Sequence, residues 1–233
     1  MKITWLGHSG FRIESAGGKT VLIDPWLEHP KANDAVRAID RADVILVTHG
    51  HGDHIGSILP LAGKSGAKIV CIHEMALYFG TKGLKNEVVG MNKGGTVDVG
   101  GITVTMVRAD HSSSVKDGED FWPGGEAVGY VIRFEDGYTI YHAGDTALFG
   151  DMGLIGRRYS PRLAMLPIGD RYTMGPKDAA LAADLIQPER IIPMHFGTFP
   201  ALTGTVEELE AALPPSLKGC VVRLSIGEPW RLD

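Results

Sequence analysis

Two cysteines in 233 residues are too few for a disulfide scaffold, and both sit in apolar segments, Cys71 in KIVCIH and Cys220 in GCVVRL. Cysteines in such surroundings read as reduced and structural rather than as a bonded pair. No apolar run approaches the roughly twenty residues of a membrane span. The opening MKITWLGHSGFRIES alternates like a strand and lacks the charged, apolar and cleavage regions of a secretory leader. Positive charge is also short: 23 Lys and Arg against 28 Asp and Glu give a formal net charge of −5 and a pI near 6.0. With no basic, aromatic-interleaved segment, nucleic acid is disfavoured as a partner. No low-complexity segment or short repeat interrupts the chain. These absences predict a cytoplasmic protein with no membrane partner and with nucleic acid disfavoured, and they leave a homo-oligomer open.

What is present suits one packed core. With 44% hydrophobic and 22% charged residues the composition is globular, and a chain of this length buries about 70% of the surface its unfolded form exposes. Residues 1–233 are expected to form a single domain. Strands are predicted at Lys2–Leu6, Phe11–Glu14, Thr20–Asp24, Val44–Thr48, Lys68–Ile72, Thr96–Val99, Ile102–Val107, Val128–Phe134, Tyr138–Tyr141, Leu163–Pro167 and Ile191–Met194. Helices are predicted at Ile55–Ala62, Glu74–Phe79, Pro176–Ile186 and Thr205–Leu213, the last with a Thr205/Glu208 capping box. Asp136-Gly137 supplies a hairpin turn. The polar, Gly-rich stretch His111–Glu126 reads as an active-site loop. Strands and helices alternating in two halves imply an α/β arrangement, a sandwich of mixed sheets with helices outside.

The chemistry concentrates at Thr48-His49-Gly50-His51-Gly52-Asp53-His54, directly after a buried strand. Neutral imidazole nitrogen and carboxylate oxygen are the donors that zinc and similar borderline metals take. Gly50 and Gly52 allow the backbone to turn so that neighbouring side chains converge. A plain strand-to-helix turn capped by Asp53 or His54 explains one such residue, not four in six positions.

His-x-His-x-Asp-His after an apolar strand resembles the hallmark of the metallo-β-lactamase superfamily, whose fold is an αββα four-layer sandwich with a two-metal site. The resemblance continues in order through His111 in ADHS, Asp145 in HAGDT and His195 in PMHF. WLGHS, LIDP, LPIGD and TMGP are similar to one bacterial branch of metal-dependent hydrolases, near the ascorbate-6-phosphate lactonases and, more distantly, the N-acyl-phosphatidylethanolamine phospholipases. The resemblance implies that His49, His51 and His111 hold one divalent ion. It implies that Asp53, His54 and His195 hold a second and that Asp145 bridges them, with Zn2+ expected and Mn2+ or Fe2+ as alternatives. The implied activity is hydrolysis by a hydroxide shared between the two metals, with Asp53 passing a proton to the leaving group. Two dications, two carboxylates and a hydroxide leave about +1 at the centre, which favours a small anionic ester, lactone or phosphoester. The alternatives are a nuclease or phosphodiesterase on the same fold and a non-catalytic metal-binding protein. A di-iron redox protein on this fold typically carries glutamate where this chain has His51, and a flavin domain besides.

Other residues divide between chemistry and structure. His8 in Gly-His-Ser reads equally as a substrate or proton-transfer residue and as a turn histidine. Asp24 at a strand end is placed to orient a ligand histidine through its free ring N–H. Arg171 is the candidate anion contact, with a surface ion pair as the plain alternative, and Phe196 either lines the pocket or packs. His142 reads as a satisfied buried histidine, His73 as a helix start and His29 as a solvated loop residue.

Overall fold

The computed structural model describes residues 1–232. The first half runs β1 (Lys2–Gly7), β2 (Gly10–Glu14), β3 (Thr20–Ile23), α1 (Asp34–Arg37), β4 (Val44–Leu46), α2 (Gly52–Ile55), α3 (Ile58–Ser65), β5 (Lys68–Ile72), α4 (His73–Gly80) and β6 (Val88–Met91). The second runs β7 (Thr96–Asp98), β8 (Thr103–Arg108), β9 (Ser114–Asp117), β10 (Asp120–Pro123), β11 (Val128–Arg133), β12 (Thr139–His142), α5 (Met152–Tyr159), β13 (Leu163–Pro167), α6 (Pro176–Ile186), β14 (Arg190–Met194), α7 (Val206–Ala212) and β15 (Pro229–Arg231).

Two mixed sheets result, ordered β15-β1-β2-β3-β4-β5-β6 and β14-β13-β12-β11-β8-β7. Their facing sides form one core, in which Ile3, Ile13 and Ile45 join Val104, Tyr130 and Met165. Residues of α3 and α4 (Ile58, Leu61, Met75, Phe79) belong to that cluster. A second cluster lies beyond the other sheet, where Ala164 and Leu166 pack with residues of α5, α6 and α7. β13 explains its own unbroken apolar run: Leu163 and Met165 enter the inter-sheet core while Ala164 and Leu166 face the helices. This is the metallo-β-lactamase fold. Among the described residues no helix is long and apolar enough to cross a membrane.

Pairing directions place the site. β1 and β3 are each antiparallel to β2, and β3 is parallel to β4, so β1, β3 and β4 share a direction. In the other sheet β8 and β12 are each antiparallel to β11, and β12, β13 and β14 are parallel. His8, Asp24, His49, His111, Asp145 and His195 all follow the C-terminal ends of these strands. Within each sheet, therefore, the site residues leave from a single edge, the place where α/β sheets present ligands.

The predicted strands and helices recur with shifts of a residue or so, and the Thr205/Glu208 capping box is present. Three readings need correction. The helix expected over Ile55–Ala62 is two helices, α2 and α3, broken at Gly56-Ser57. A Cβ on Gly56 would stand 2.9 Å from the Trp26 ring and 2.8 Å from the Gly52 carbonyl, and Ser57 Oγ accepts the Leu27 N–H at 2.8 Å. Tertiary contacts override the helical period there. The loop expected over His111–Glu126 contains the hairpin β9–β10. Its two-residue turn is Gly118-Glu119, with Gly118 at φ 63°, so a glycine at the first turn position is the hairpin signal in that stretch. Third, α1, α5, β6 and β15 are elements that patterning did not resolve.

Candidate metal centre

Three residues at this rim, His8 (φ 53°), Asp24 (φ 43°) and His195 (φ 54°), take the left-handed backbone region without being glycine. That conformation is disfavoured by roughly 1–2 kcal/mol per residue, and such outliers cluster where a side chain must be aimed. The α2 helix starts at Gly52, so Asp53 and His54 lie in its first turn beside His51, which precedes it.

The side chains form two groups. In the first, ligand atoms of His49, His51 and His111 lie within 4.8 Å of one another. His49 Nε2 stands 3.0 Å from His51 Nδ1. In the second, His8, Asp53, His54 and His195 meet the same limit. Asp145 lies between: its Oδ2 is 2.9 Å from His195 Nε2, 3.2 Å from His54 Nε2 and 3.9 Å from His111 Nε2. Its Oδ1 accepts the Ser9 hydroxyl at 3.2 Å. His49, His54 and Asp145 are buried, while Asp53 (29% side-chain exposure) and His111 (14%) mark the open side.

Electrostatics favour a bound cation. Burial, reinforced by the His54 ring, holds the His49 pKa well below the ordinary value, and burial likewise lowers His51 and His111. These are neutral imidazoles, the form that ligates metal. His54 is the exception. Burial would lower it, but Asp145 and Asp24 flank the ring and lift its pKa well above the usual range. Burial pushes the Asp145 carboxyl up, but His195 and His54 outweigh that and hold it well below the carboxylate range. His54 Nε2, though 3.2 Å from Asp145, meets no hydrogen-bond geometry and is an orphaned buried nitrogen. A pocket that draws a proton to that atom suits a divalent cation, and the donor set fits one.

Asp24 connects the two groups from behind. Fully buried, it accepts the Thr48 N–H at 2.8 Å, the Thr48 hydroxyl at 2.5 Å and His54 Nδ1–H at 2.8 Å. Because the carboxylate only accepts, Thr48 Oγ1 is committed to donating to it. The hydroxyl must then accept from His49 Nδ1, 3.0 Å away. Nδ1 of both histidines thereby carries its hydrogen, and Nε2 is the atom each has left to offer a cation. Its place at a strand end suggested one histidine partner for Asp24, here His54; the hydroxyl of Thr48 adds a second.

His8 is buried at the second group, with Nε2 3.0 Å from Asp53 Oδ2 and Nδ1 3.0 Å from Thr198 Oγ1. Burial, with repulsion from His195 and His54, lowers its pKa to about 4 against the opposing pull of the Asp53 hydrogen bond. Both ring nitrogens are engaged, which leaves no free lone pair for a metal. His142 is buried and satisfied, with Nε2 3.0 Å from the Ser9 carbonyl and Nδ1 accepting the Gly144 N–H.

His29 is not solvated. It is fully buried, donates through Nε2 to the Leu6 carbonyl at 2.6 Å and accepts the Lys31 N–H at Nδ1. Its ring takes the space a Cβ on Gly7 would occupy, 2.3 Å from Cε1, and Gly7 sits at φ 96°. The polar neighbours Glu28 and Lys31 concealed a side chain that folds inward. Phe196 stacks on Trp5 with centroids 5.3 Å apart. Arg171 is exposed, at φ 51°, with its guanidinium 5.5 Å from the Tyr172 centroid. Among the described residues no ion pair or hydrogen bond ties that guanidinium to the cluster. Sequence reasoning missed Thr48 as a relay, Ser9, Thr198, and Ser113, whose hydroxyl accepts the Gly50 N–H at 3.2 Å. Ser9 and Thr48 adjoin motif histidines, and that adjacency was the available signal. Thr198 and Ser113 carried none.

Two mixed sheets between helix layers, with histidines and carboxylates gathered where their strands end, define a metal-dependent hydrolase of the metallo-β-lactamase fold. Residues 2–195 match the beta-lactamase superfamily domain. A UPF0173 metal-dependent hydrolase of Koribacter versatilis is 53% identical over 211 residues, 90% of each chain. One of Methanosarcina mazei is 45% identical over 233 residues, covering 100% of this chain and 99% of that one. Igni18, a metallo hydrolase of the hyperthermophilic archaeon Ignicoccus hospitalis, superposes with a TM-score of 0.86 at 35% identity, over 100% of this chain and 99% of the other. An isothiocyanate hydrolase from Delia radicum gut bacteria shares the fold at 23% identity, with a TM-score of 0.78 over 100% of both chains. The chain belongs to the beta-lactamase superfamily and, within it, to the UPF0173 metal-dependent hydrolases.

Proposed function

We propose that this hydrolase uses a dinuclear metal site to cleave a small, anionic ester, lactone or phosphoester. The observation that carries the reading is Asp145, one buried carboxylate oxygen facing His195 and His54 of one group and His111 of the other. In this reading His49, His51 and His111 hold one ion, Asp53, His54 and His195 hold the second, and Asp145 serves both. Zn2+ is the favoured metal for this donor set, with Mn2+ and Fe2+ as alternatives. When bound, such ions polarise the scissile group and bring the acidity of a water molecule near neutral pH.

The remaining work falls to the chain. Asp24, directly and through Thr48, keeps His54 and His49 in the tautomers that present Nε2. Asp53, part-exposed at the open side, is the group placed to hold a proton at its carboxylate and release it to the leaving group. His8 donates from Nε2 to Asp53 Oδ2, which orients that carboxylate and leaves its other oxygen free. Arg171, on the loop after β13, is proposed to add a second anion contact to the attraction of the metals. Its guanidinium is free of carboxylate partners among the described residues, as a ligand contact requires.

The test is a screen of Zn2+-loaded protein against lactones, phosphodiesters, carboxylic esters, thioesters and β-lactams. Metal-dependent turnover of an anionic ester, lactone or phosphoester is the expected result. Turnover confined to neutral thioesters or β-lactams contradicts the substrate class.

A further inference from the structure

The loop after β14 grips His8 at several points. The His195 N–H donates to the His8 carbonyl at 3.0 Å, and the Trp5 indole N–H reaches the same oxygen at 2.9 Å. The His195 ring lies 4.0 Å from the His8 ring, centroid to centroid, and the Phe199 ring meets it edge-on at 5.8 Å. The loop's remaining contact is Thr198 Oγ1, 3.0 Å from Nδ1, made by a buried residue 190 positions away in the chain. Left-handed backbone at His195 (φ 54°) and Gly197 (φ 66°) turns the segment between them. Among the described residues that hydroxyl makes no other side-chain hydrogen bond.

The hydrogens can be counted. An ionised Asp53 only accepts, so the hydrogen between it and His8 belongs to Nε2. In a neutral imidazole Nδ1 is then bare, and among the described residues the Thr198 hydroxyl is its hydrogen-bond partner and can donate. The chain of donors runs in one direction, from Thr198 O–H to Nδ1 and from Nε2–H to Asp53.

We propose that Thr198 is a positioning residue. Its hydroxyl, donating to Nδ1, holds the His8 ring in the rotamer that keeps Nε2–H on Asp53 Oδ2, leaving Oδ1 for the reaction. Without that donor a buried Nδ1 has no partner, and the Asp53 contact alone holds the ring hydrogen-bonded. The inference rests on the role assigned to His8 and Asp53 above, and it deepens that role.

The test reads the imidazole itself rather than turnover. Protein labelled with 15N-histidine is examined by long-range proton–nitrogen correlation, metal-free and with Zn2+ alone added. The His8 signals are identified by their loss in His8→Gln. Wild type is expected to show an unprotonated, hydrogen-bonded Nδ1 and a protonated Nε2. Thr198→Val, nearly isosteric, is expected to shift Nδ1 to the position of a nitrogen without a donor. Thr198→Ser is expected to restore the wild-type pattern. A protonated Nδ1 in wild type overturns the proposal, and so does a Thr198→Val spectrum with unchanged His8 signals. Neither outcome depends on turnover. Full activity of His8→Ala with metal retained overturns the catalytic reading of His8 and leaves the tautomer result to judge Thr198 separately.

Discussion

Replacing Asp24 by Asn keeps the size of the side chain and tolerates the left-handed backbone at φ 43°, so it changes hydrogen bonding with little else. The carboxylate accepts three hydrogen bonds: Oδ1 takes the Thr48 N–H, and Oδ2 takes the Thr48 hydroxyl and His54 Nδ1–H. An amide with its NH2 at the Oδ2 position turns two of these around. Thr48 must accept from it and donate to His49 Nδ1, and His54 Nδ1 must accept, which puts hydrogens on Nε2 of both histidines. The opposite amide orientation sets NH2 against the Thr48 N–H and leaves a buried donor unpaired, at about 1–3 kcal/mol. Loss of an orienting partner weakens metal binding by about 10–100-fold, or roughly 1.4–2.7 kcal/mol. Two ligand histidines are affected, one in each group, so both metal positions are expected to weaken. Competition of chelated, reloaded Asp24→Asn against a chromophoric zinc chelator measures this. A dissociation constant within twofold of wild type at both positions refutes the tautomer argument.

Three further outcomes are expected. His29→Ala lowers the unfolding free energy by about 2–4 kcal/mol in urea denaturation, since a buried ring with both nitrogens bonded is lost; a change below ~0.5 kcal/mol contradicts its buried role. In chelator, stability falls as pH drops from 6.5 toward 4. His8, His29, His49, His51, His111 and His142 have folded pKa values below 6.5, so the unfolded chain binds more protons there. His54, raised, contributes stability that is fully present below 6.5 and is lost only as pH rises above it, so it does not offset them in this window, and denaturation midpoints that stay level from pH 6.5 to 4 contradict the count. Finally, the preference in kcat/KM for a charged over a matched neutral ester is expected to fall several-fold in Arg171→Ala, and an unchanged preference removes Arg171 from the anion contact.

Much of the cluster was legible because its donor residues come in a compact motif and at strand ends. Val44–Leu46 is an apolar strand, and the residues just after it, Thr48 to His54, bring both donor groups together. Asp145 and His195 also follow strands with clear patterns. What was not legible depends on contacts distant in sequence. The break at Gly56 is imposed by Trp26, and the inward turn of His29 by the space above Gly7. Thr198 meets His8 only because β1 and β14 end close together, and no local pattern encodes that meeting. The hairpin in 111–126 is a different case, since Gly118 opens its two-residue turn but the surrounding polarity masked the strands.

The central claim is that two divalent ions are held per chain, and their number and positions test it most directly. Protein purified without chelator is analysed for metals, and its crystals are measured at the absorption edge of the metal found. The account predicts two anomalous peaks per chain, one among His49, His51 and His111 and one among Asp53, His54 and His195, with Asp145 touching both. A single well-occupied ion, with Asp145 or His195 turned away from it, contradicts the account.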